Sequence, residues 1–188
     1  MNGFQIAEAG HTVAAWGPGT LSTTATSQAA SFKLAEHLSI IVTYAAAGSP
    51  PAAPSGIQVN QCTSAAGANA TAMANGFRYY YQTKGGAGND VFDGNQQALS
   101  NTVGPGPNWT SAAAGITTLP VPSSGTAIAV VIEMDSAEVE IITQTVGAST
   151  EYPYIQTVVS GAQANPLSVV YVFSGLRYAY KGGQTFTT

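Results

Sequence analysis

The sequence contains very little charge. Only 7% of its 188 residues are Asp, Glu, Lys or Arg, while 45% are hydrophobic; an ordinary soluble domain has about 25% charged residues. Soluble monomers usually carry mixed surface charge, which keeps them apart in solution. A surface of small, neutral, hydrogen-bonding groups instead favours permanent contact with other proteins. The composition therefore indicates a building block of an assembly rather than a free enzyme.

The few charges also argue against two classes of partner. Five basic residues are scattered along the chain beside nine acidic ones, for a formal net charge of −4. Nucleic-acid-binding proteins concentrate Lys and Arg on one face, and docking to anionic membranes needs a similar cluster. We therefore expect no nucleic-acid partner and no membrane partner.

Cysteine and long apolar runs are scarce as well. The single cysteine, Cys62, cannot form an intramolecular disulfide. The most apolar run, Leu38–Gly48, is much shorter than the roughly 20 residues of a membrane helix. The first ten residues, MNGFQIAEAG, lack the basic start and hydrophobic run of a signal peptide. The sequence thus predicts neither a signal peptide nor a membrane-spanning segment.

Helical periodicity is almost absent, and strand signals dominate. The clearest one runs from Phe32 to Tyr44, where apolar residues recur at every second position. Glu36 interrupts this pattern, and Ile41 is an apolar exception on the other face. Alternation of this kind places one face on a core and the other toward solvent or a partner.

The remaining strand signals are short and are separated by turns rich in Gly and Pro. We predict further strands at Ile57–Cys62, Phe77–Thr83, Thr126–Met134, Val139–Val146, Tyr154–Ser160, Ser168–Ser174 and Leu176–Tyr180. About eight short strands with regular turns are typical of an all-β, antiparallel β-sandwich or jelly roll with long loops. We assign residues 1–31 to an extended N-terminal arm with a first short strand, and residues 32–188 to the jelly-roll domain.

One segment matches a calcium-binding motif. Gly85–Asp93 reads GGAGNDVFD, the nonapeptide of calcium-binding parallel β-rolls. In those rolls each calcium ion lies between successive turns, so several copies must stack. The next residues, Gly94–Leu99, do not repeat the pattern. We therefore interpret the segment as a Gly-rich turn and predict no metal site.

Four of the nine acidic residues cluster at Glu133, Asp135, Glu138 and Glu140. Paired carboxylates can serve glycoside hydrolysis, and Glu133 and Asp135 would share one strand face. The sequence does not distinguish an acid from a base between them. A solvated strand end and turn is the favoured interpretation, and pairing with a basic patch on a partner is the alternative.

The sequence offers little else for catalysis. His11 and His37 are its only histidines, and no GxSxG elbow or histidine signature accompanies a nucleophile. Two distant histidines and one cysteine do not form a zinc site. No phosphate-binding loop or dinucleotide fingerprint is present. We predict that the protein is not an enzyme and has no cofactor.

Two tryptophans and one arginine are candidate interface residues. Trp16 and Trp109 lie beside turns, where aromatic side chains stack on sugars, fill a partner's pocket or close the ends of a core. Arg177 follows the last strong strand and can pair with an acid such as Glu133. Together with Asp135, these residues form the predicted partner-binding set.

The second half of the chain resembles a known family. Val130–Glu140 (VVIEMDSAEVE) reads as a strand that ends in an acid and a short acidic turn. Val169–Tyr180 (VVYVFSGLRYAY) reads as a final strand, a Gly turn and an Arg-Tyr pair. With the Tyr79–Tyr81 strand and Trp109, these segments resemble the jelly-roll decoration proteins, also called cement or head-stabilisation proteins, of tailed bacteriophages. The resemblance covers about residues 30 to 180 and concerns strand order and character, because this class has no strict ligand motif.

The resemblance implies a homo-oligomer, a trimer more often than a dimer, that binds the major capsid protein on the capsid exterior and clamps adjacent capsomers. It also implies assembly in the bacterial host cytoplasm. Three alternatives stay open. The first is a tail or fibre component, and the second is a carbohydrate-binding β-sandwich that uses Trp16, Trp109 and the tyrosines. The third, a hydrolase that uses Glu133 and Asp135, ranks last because titratable groups are so few.

Overall fold

The fold consists of strands. The computed structural model describes residues 10–33, 35–46, 48, 50–73, 77–81, 115–117, 119–122, 127–136, 153–161 and 164–175. The strands in these ranges are β1 (Gly10–Thr20), β2 (Thr24–Thr26), β3 (Ala30–Ser31), β4 (His37–Ala45), β5 (Gly56–Cys62), β6 (Thr71–Ala72), β7 (Arg78–Tyr81), β8 (Ala127–Asp135), β9 (Tyr154–Ser160) and β10 (Pro166–Ser174). The all-β prediction is confirmed for these residues. No helix within them is long and apolar enough to cross a membrane.

The strands form two antiparallel sheets of five strands each. In the first, sheet A, the order is β1-β10-β4-β8-β7. In the second, sheet B, the order is β2-β9-β5-β6, and β3 also pairs with β9. Most of the pairs are nested along the chain: β1 pairs with β10, β2 and β3 with β9, β4 with β8, and β5 with β6. The antiparallel arrangement predicted from the sequence is therefore confirmed.

The core lies between the two sheets. On β4, Leu38, Ile40, Val42 and Tyr44 are at most 1% exposed, and the residues between them are partly exposed. Successive side chains of a strand point to opposite faces, so the predicted alternation is confirmed from His37 to Tyr44. The predicted start at Phe32 is wrong, because residues 32–33 and 35–36 connect β3 to β4 and are not part of a strand. Buried residues of both sheets join one cluster, which includes Val130, Ile132, Val169 and Tyr171 from sheet A and Ile57, Val59, Ile155 and Val159 from sheet B.

Several predicted strands agree closely with the observed ones. The Tyr154–Ser160 prediction matches β9 residue for residue, and the Ile57–Cys62 prediction differs from β5 by one residue. The predictions over 126–134, 168–174 and 77–83 fall on β8, β10 and β7. The strands predicted at 139–146 and 176–180 lie outside the described residues.

The strand β1 is longer than the first short strand predicted from the sequence. This strand has 11 residues and pairs with β10, but its register shifts between Ala14 and Trp16 and again between Trp16 and Gly19. Such irregularities disrupt alternation, so the sequence shows no simple period there. The described part of segment 1–31 pairs with both sheets, and it buries Leu21 and Ala25. The assignment of an arm that ends at residue 31 stays a prediction.

A buried hydrogen-bond network joins the two sheets. The Tyr171 hydroxyl on β10 lies 2.6 Å from Ser27 Oγ and donates to Thr157 Oγ1 on β9 at 3.0 Å. The Thr157 amide donates in turn to Ser27 Oγ at 2.9 Å. Burial raises the pKa of Tyr171. The network supplies the partners that buried polar groups need and fixes the relative position of β9 and β10.

The adjacent residues Ile40 and Ile41 provide a matched test of this architecture. Ile40 is fully buried in the core, whereas Ile41 is partly exposed on the opposite face. We expect Ile40→Ala to lower the free energy of unfolding by about 2–5 kcal/mol, because it removes buried methylenes and leaves a cavity. Ile41→Ala should cost less than about 1 kcal/mol. Urea denaturation of both variants measures the difference, and equal losses would contradict the assignment of faces.

Candidate functional site

A cluster of polar side chains occupies one end of β4 and β8. In the antiparallel register His37 is opposite Asp135, and Ser39 is opposite Glu133. Residues two positions apart on a strand share a face, so all four side chains lie together. Leu38 and Met134, which alternate with them, are fully buried. The cluster therefore lies on the outer face of sheet A, away from the core.

The imidazole of His37 lies between the two carboxylates. Its Nδ1 is 2.8 Å from Asp135 Oδ1, and its Nε2 is in close contact with Glu133 Oε2. The Ser39 hydroxyl donates to the same Glu133 oxygen at 2.8 Å. The His37, Glu133 and Asp135 side chains are 31%, 24% and 48% exposed. We call these four residues the acid–histidine cluster.

The cluster favours the protonated form of His37. Burial of the ring opposes protonation and lowers its pKa. The hydrogen bonds to Asp135 and Glu133 and the attraction of both carboxylates outweigh this effect, so the pKa of His37 is raised above its ordinary value. An imidazolium donates from both ring nitrogens, which matches one carboxylate on each side. The protonated cluster thus has two negative charges and one positive charge.

The geometry of the cluster does not suit a metal ion. Within the described ranges, no group of three His, Cys, Asp or Glu side chains could hold one. The two carboxylates contact opposite nitrogens of His37, so the three side chains do not converge on a common point. A metal site needs donors that surround one position. The cluster is therefore an ion-pair network across two strands.

The cluster contains the parts of a nucleophilic triad but not its connections. Ser39 Oγ is 3.5 Å from His37 Nε2, and Asp135 contacts the other nitrogen of the ring. A triad serine must pass its proton to the histidine. Here the Ser39 hydroxyl donates to Glu133, which also occupies Nε2 of His37. The arrangement thus supports cross-strand ion pairing rather than activation of a serine.

The structure brings together only part of the predicted site. Glu133 and Asp135 lie on one strand face, as the sequence indicates. Trp16 is partly buried and packs against the core, and its role at an interface stays a prediction. Trp109 and Arg177 lie outside the described residues, so the proposed pairing of Arg177 with Glu133 stays a prediction. The segment Gly85–Asp93 and the acids Glu138 and Glu140 also lie outside them.

The sequence pattern places His37 on the polar face of a strand but does not connect it to the acids. The histidine is 96 and 98 positions from its two partners. Their contact depends on the pairing of β4 with β8, which alternation alone does not specify. One sequence feature is consistent with the contact: His37 and Ser39 are two positions apart on one strand, and Glu133 and Asp135 are two positions apart on another. His11, the other histidine, stacks on Phe173 with ring centroids 6.4 Å apart.

Comparison of the chain with protein-family models, with curated proteins and with solved structures found no match. The function of the chain is therefore inferred from its fold, from its surface chemistry and from its resemblance to decoration proteins.

The raised pKa of His37 predicts a pH-dependent contribution to stability. The pKa of His37 in the folded state lies above the unfolded value of about 6.5. The contribution is therefore fully present below that pH and is lost as pH rises through the folded-state pKa. We expect His37→Gln to lower the free energy of unfolding by about 1 kcal/mol at pH 5.5 and by less at pH 9. Urea denaturation at both pH values measures this difference.

The matched control is Thr43→Ala, on the same face of β4 but at the end away from the two carboxylates. Its effect on stability should not change between pH 5.5 and pH 9, because the threonine side chain does not titrate. An NMR titration of the ring protons reports the pKa of His37 directly, with the His37→Gln spectrum assigning the resonance. A His37 pKa at or below the ordinary value would contradict the interpretation of the cluster.

Proposed function

We propose that this chain is a virion structural protein that binds the outside of a tailed-phage capsid and stabilises it by clamping adjacent capsomers. The observation that carries the proposal is the nested order of strand pairs, with the first strand paired to the last. This order supports a jelly roll, the fold that the resemblance to decoration proteins implies.

The support for a jelly roll comes from the pairing of successive strands. A jelly roll wraps an antiparallel hairpin into two sheets, so that strands pair from the outside of the sequence inward. Here β1 pairs with β10, β2 and β3 with β9, β4 with β8, and β5 with β6. In this interpretation β2 and β3 are two parts of one interrupted strand. β7 then adds a further strand beside β8.

The chemistry of the strand surfaces supports a structural role. Besides His37, the described strands contain only three charged residues, Arg78, Glu133 and Asp135. Charged groups steer association and set its rate, and a surface with so few of them relies on contact area and hydrogen bonds instead. Such a surface suits a subunit that remains in contact with its partners. Fold alone does not determine function, so the proposal combines both observations.

The proposed mechanism uses binding energy alone. A clamp that contacts two capsomers only in the mature shell stabilises that shell by mass action. The partner is the major capsid protein, and the clamp itself is a homo-oligomer, for which the resemblance favours a trimer over a dimer. Many copies on one shell add avidity, because each further contact forms at high effective concentration.

Binding to capsids tests the proposal directly. The purified protein is mixed with expanded and unexpanded shells assembled from the major capsid protein encoded in the same genome. We expect it to sediment with the expanded shells and to raise their melting temperature, because it binds that state preferentially. Sedimentation and differential scanning calorimetry measure the two effects. A protein that leaves both kinds of shell unchanged would contradict the proposal.

Three further experiments separate the alternatives. The variant Glu133→Gln/Asp135→Asn keeps the shape of the acid–histidine cluster but removes its negative charge, so it should bind more weakly if these acids meet basic groups of the shell. Saturable binding on a glycan array that falls with Trp109→Ala, without binding to shells, would instead favour a carbohydrate-binding module. Labelled protein located on the tail in negative-stain images would favour a tail or fibre component.

A further inference from the structure

The outer face of sheet A has an apolar centre. Three adjacent strands each contain two consecutive β-branched residues: Ile40-Ile41 on β4, Val130-Val131 on β8 and Val169-Val170 on β10. The first member of each pair is buried in the core, and the second is partly exposed. The apolar exception that Ile41 makes in the sequence is therefore repeated on both neighbouring strands.

The register aligns these residues into one row across the sheet. Val170 pairs with Ile41, and Ile41 pairs with Val131. The row continues to Ala14 on β1 and to Tyr80 on β7. We call these five residues the apolar row. An antiparallel sheet with one solvated face usually alternates apolar residues inside with polar residues outside, and the apolar row departs from that rule where the face is widest.

We propose that this face binds the same face of a second copy of the chain. Its size is suitable. Each strand residue occupies about 16 Å² of a sheet, because the rise along a strand is about 3.3 Å and neighbouring strands are about 4.8 Å apart. Summed over the residues of the five strands of sheet A, one face of the sheet has an area of roughly 650 Å². Two copies would together bury about 1,300 Å², which lies within the standard range for a stable specific interface.

The distribution of charge selects the orientation. The acid–histidine cluster lies at the end of the face near His37, whereas the opposite end near Ala45 has no charged side chain among the described residues. That end holds a shallow groove of about 230 Å³, lined by Pro18, Thr43, Ala45, Ala127, Pro166 and Ser168 among others. The register also puts Arg78 opposite Glu133 at the His37 end, so that end holds charges of both signs. A twofold axis that lies between the two copies along the apolar row, and crosses β4 at Ile41, places this charged end of each copy on the neutral end of the other. The like charges then remain apart.

A face that meets its own copy forms a closed dimer, in place of the trimer that the resemblance implies, and capsid binding can be tested separately from this contact. A trimer that sediments with expanded shells would overturn the dimer and leave the capsid proposal standing. A dimer that leaves shells unchanged would overturn the capsid proposal alone.

Light scattering of the full chain at about 100 μM tests the contact. We expect the wild-type protein to have twice the chain mass of 19.1 kDa. Ile41→Asp should convert it to a monomer at the same concentration, because two carboxylates would meet at the axis. The matched control is Val121→Asp, at an exposed valine outside this face, which should remain a dimer. A monomeric or trimeric wild-type protein, or a dimer unaffected by Ile41→Asp, would overturn the inference.

A second variant guards against loss of folding. Val131→Thr/Val170→Thr keeps the shape and the strand preference of both residues but makes the apolar row polar. It should retain the circular dichroism spectrum of the wild type and raise the dimer dissociation constant at least tenfold. A folded double variant whose dimer dissociation constant is unchanged would contradict the proposed contact.

Discussion

The register of β4 is the constraint on which the rest of the structure depends. This strand is paired along its length with β10 on one side and with β8 on the other. A shift by one residue would move every side chain of the strand to the opposite face. Leu38 would then leave the core, and Ile41 would enter it. The core, the acid–histidine cluster and the apolar row are thus three results of one pairing.

Different interactions fix that register at different positions. The buried residues of β4 favour it through the apolar area that they remove from water. His37 and Asp135 favour it through a contact that exists only when these two residues are opposite each other. The Tyr171 network then fixes β10 relative to sheet B. Because burial is non-directional and hydrogen bonds are directional, the core supplies most of the energy and the polar contacts specify the alignment.

The sequence predicted what depends on local pattern. Alternation located β4, and runs of β-branched residues located β8, β9 and β10, because each signal lies within one strand. The long strand β1 was missed since its bulges interrupt the period near Trp16. The contact of His37 with Glu133 was missed for a different reason. It joins residues 96 positions apart, so it follows from the pairing of two strands, and no local pattern contains that information.

Ile41 illustrates how a departure from pattern becomes informative once the topology is known. In the sequence it is a single apolar residue on a polar strand face, and single exposed apolar residues are common. In the fold it lies between Val170 and Val131 on adjacent strands, so three separate exceptions become one surface. In a chain with so little charge, association depends on contact area rather than on electrostatic steering. The acid–histidine cluster lies at the edge of that face, so it leaves the apolar centre uninterrupted.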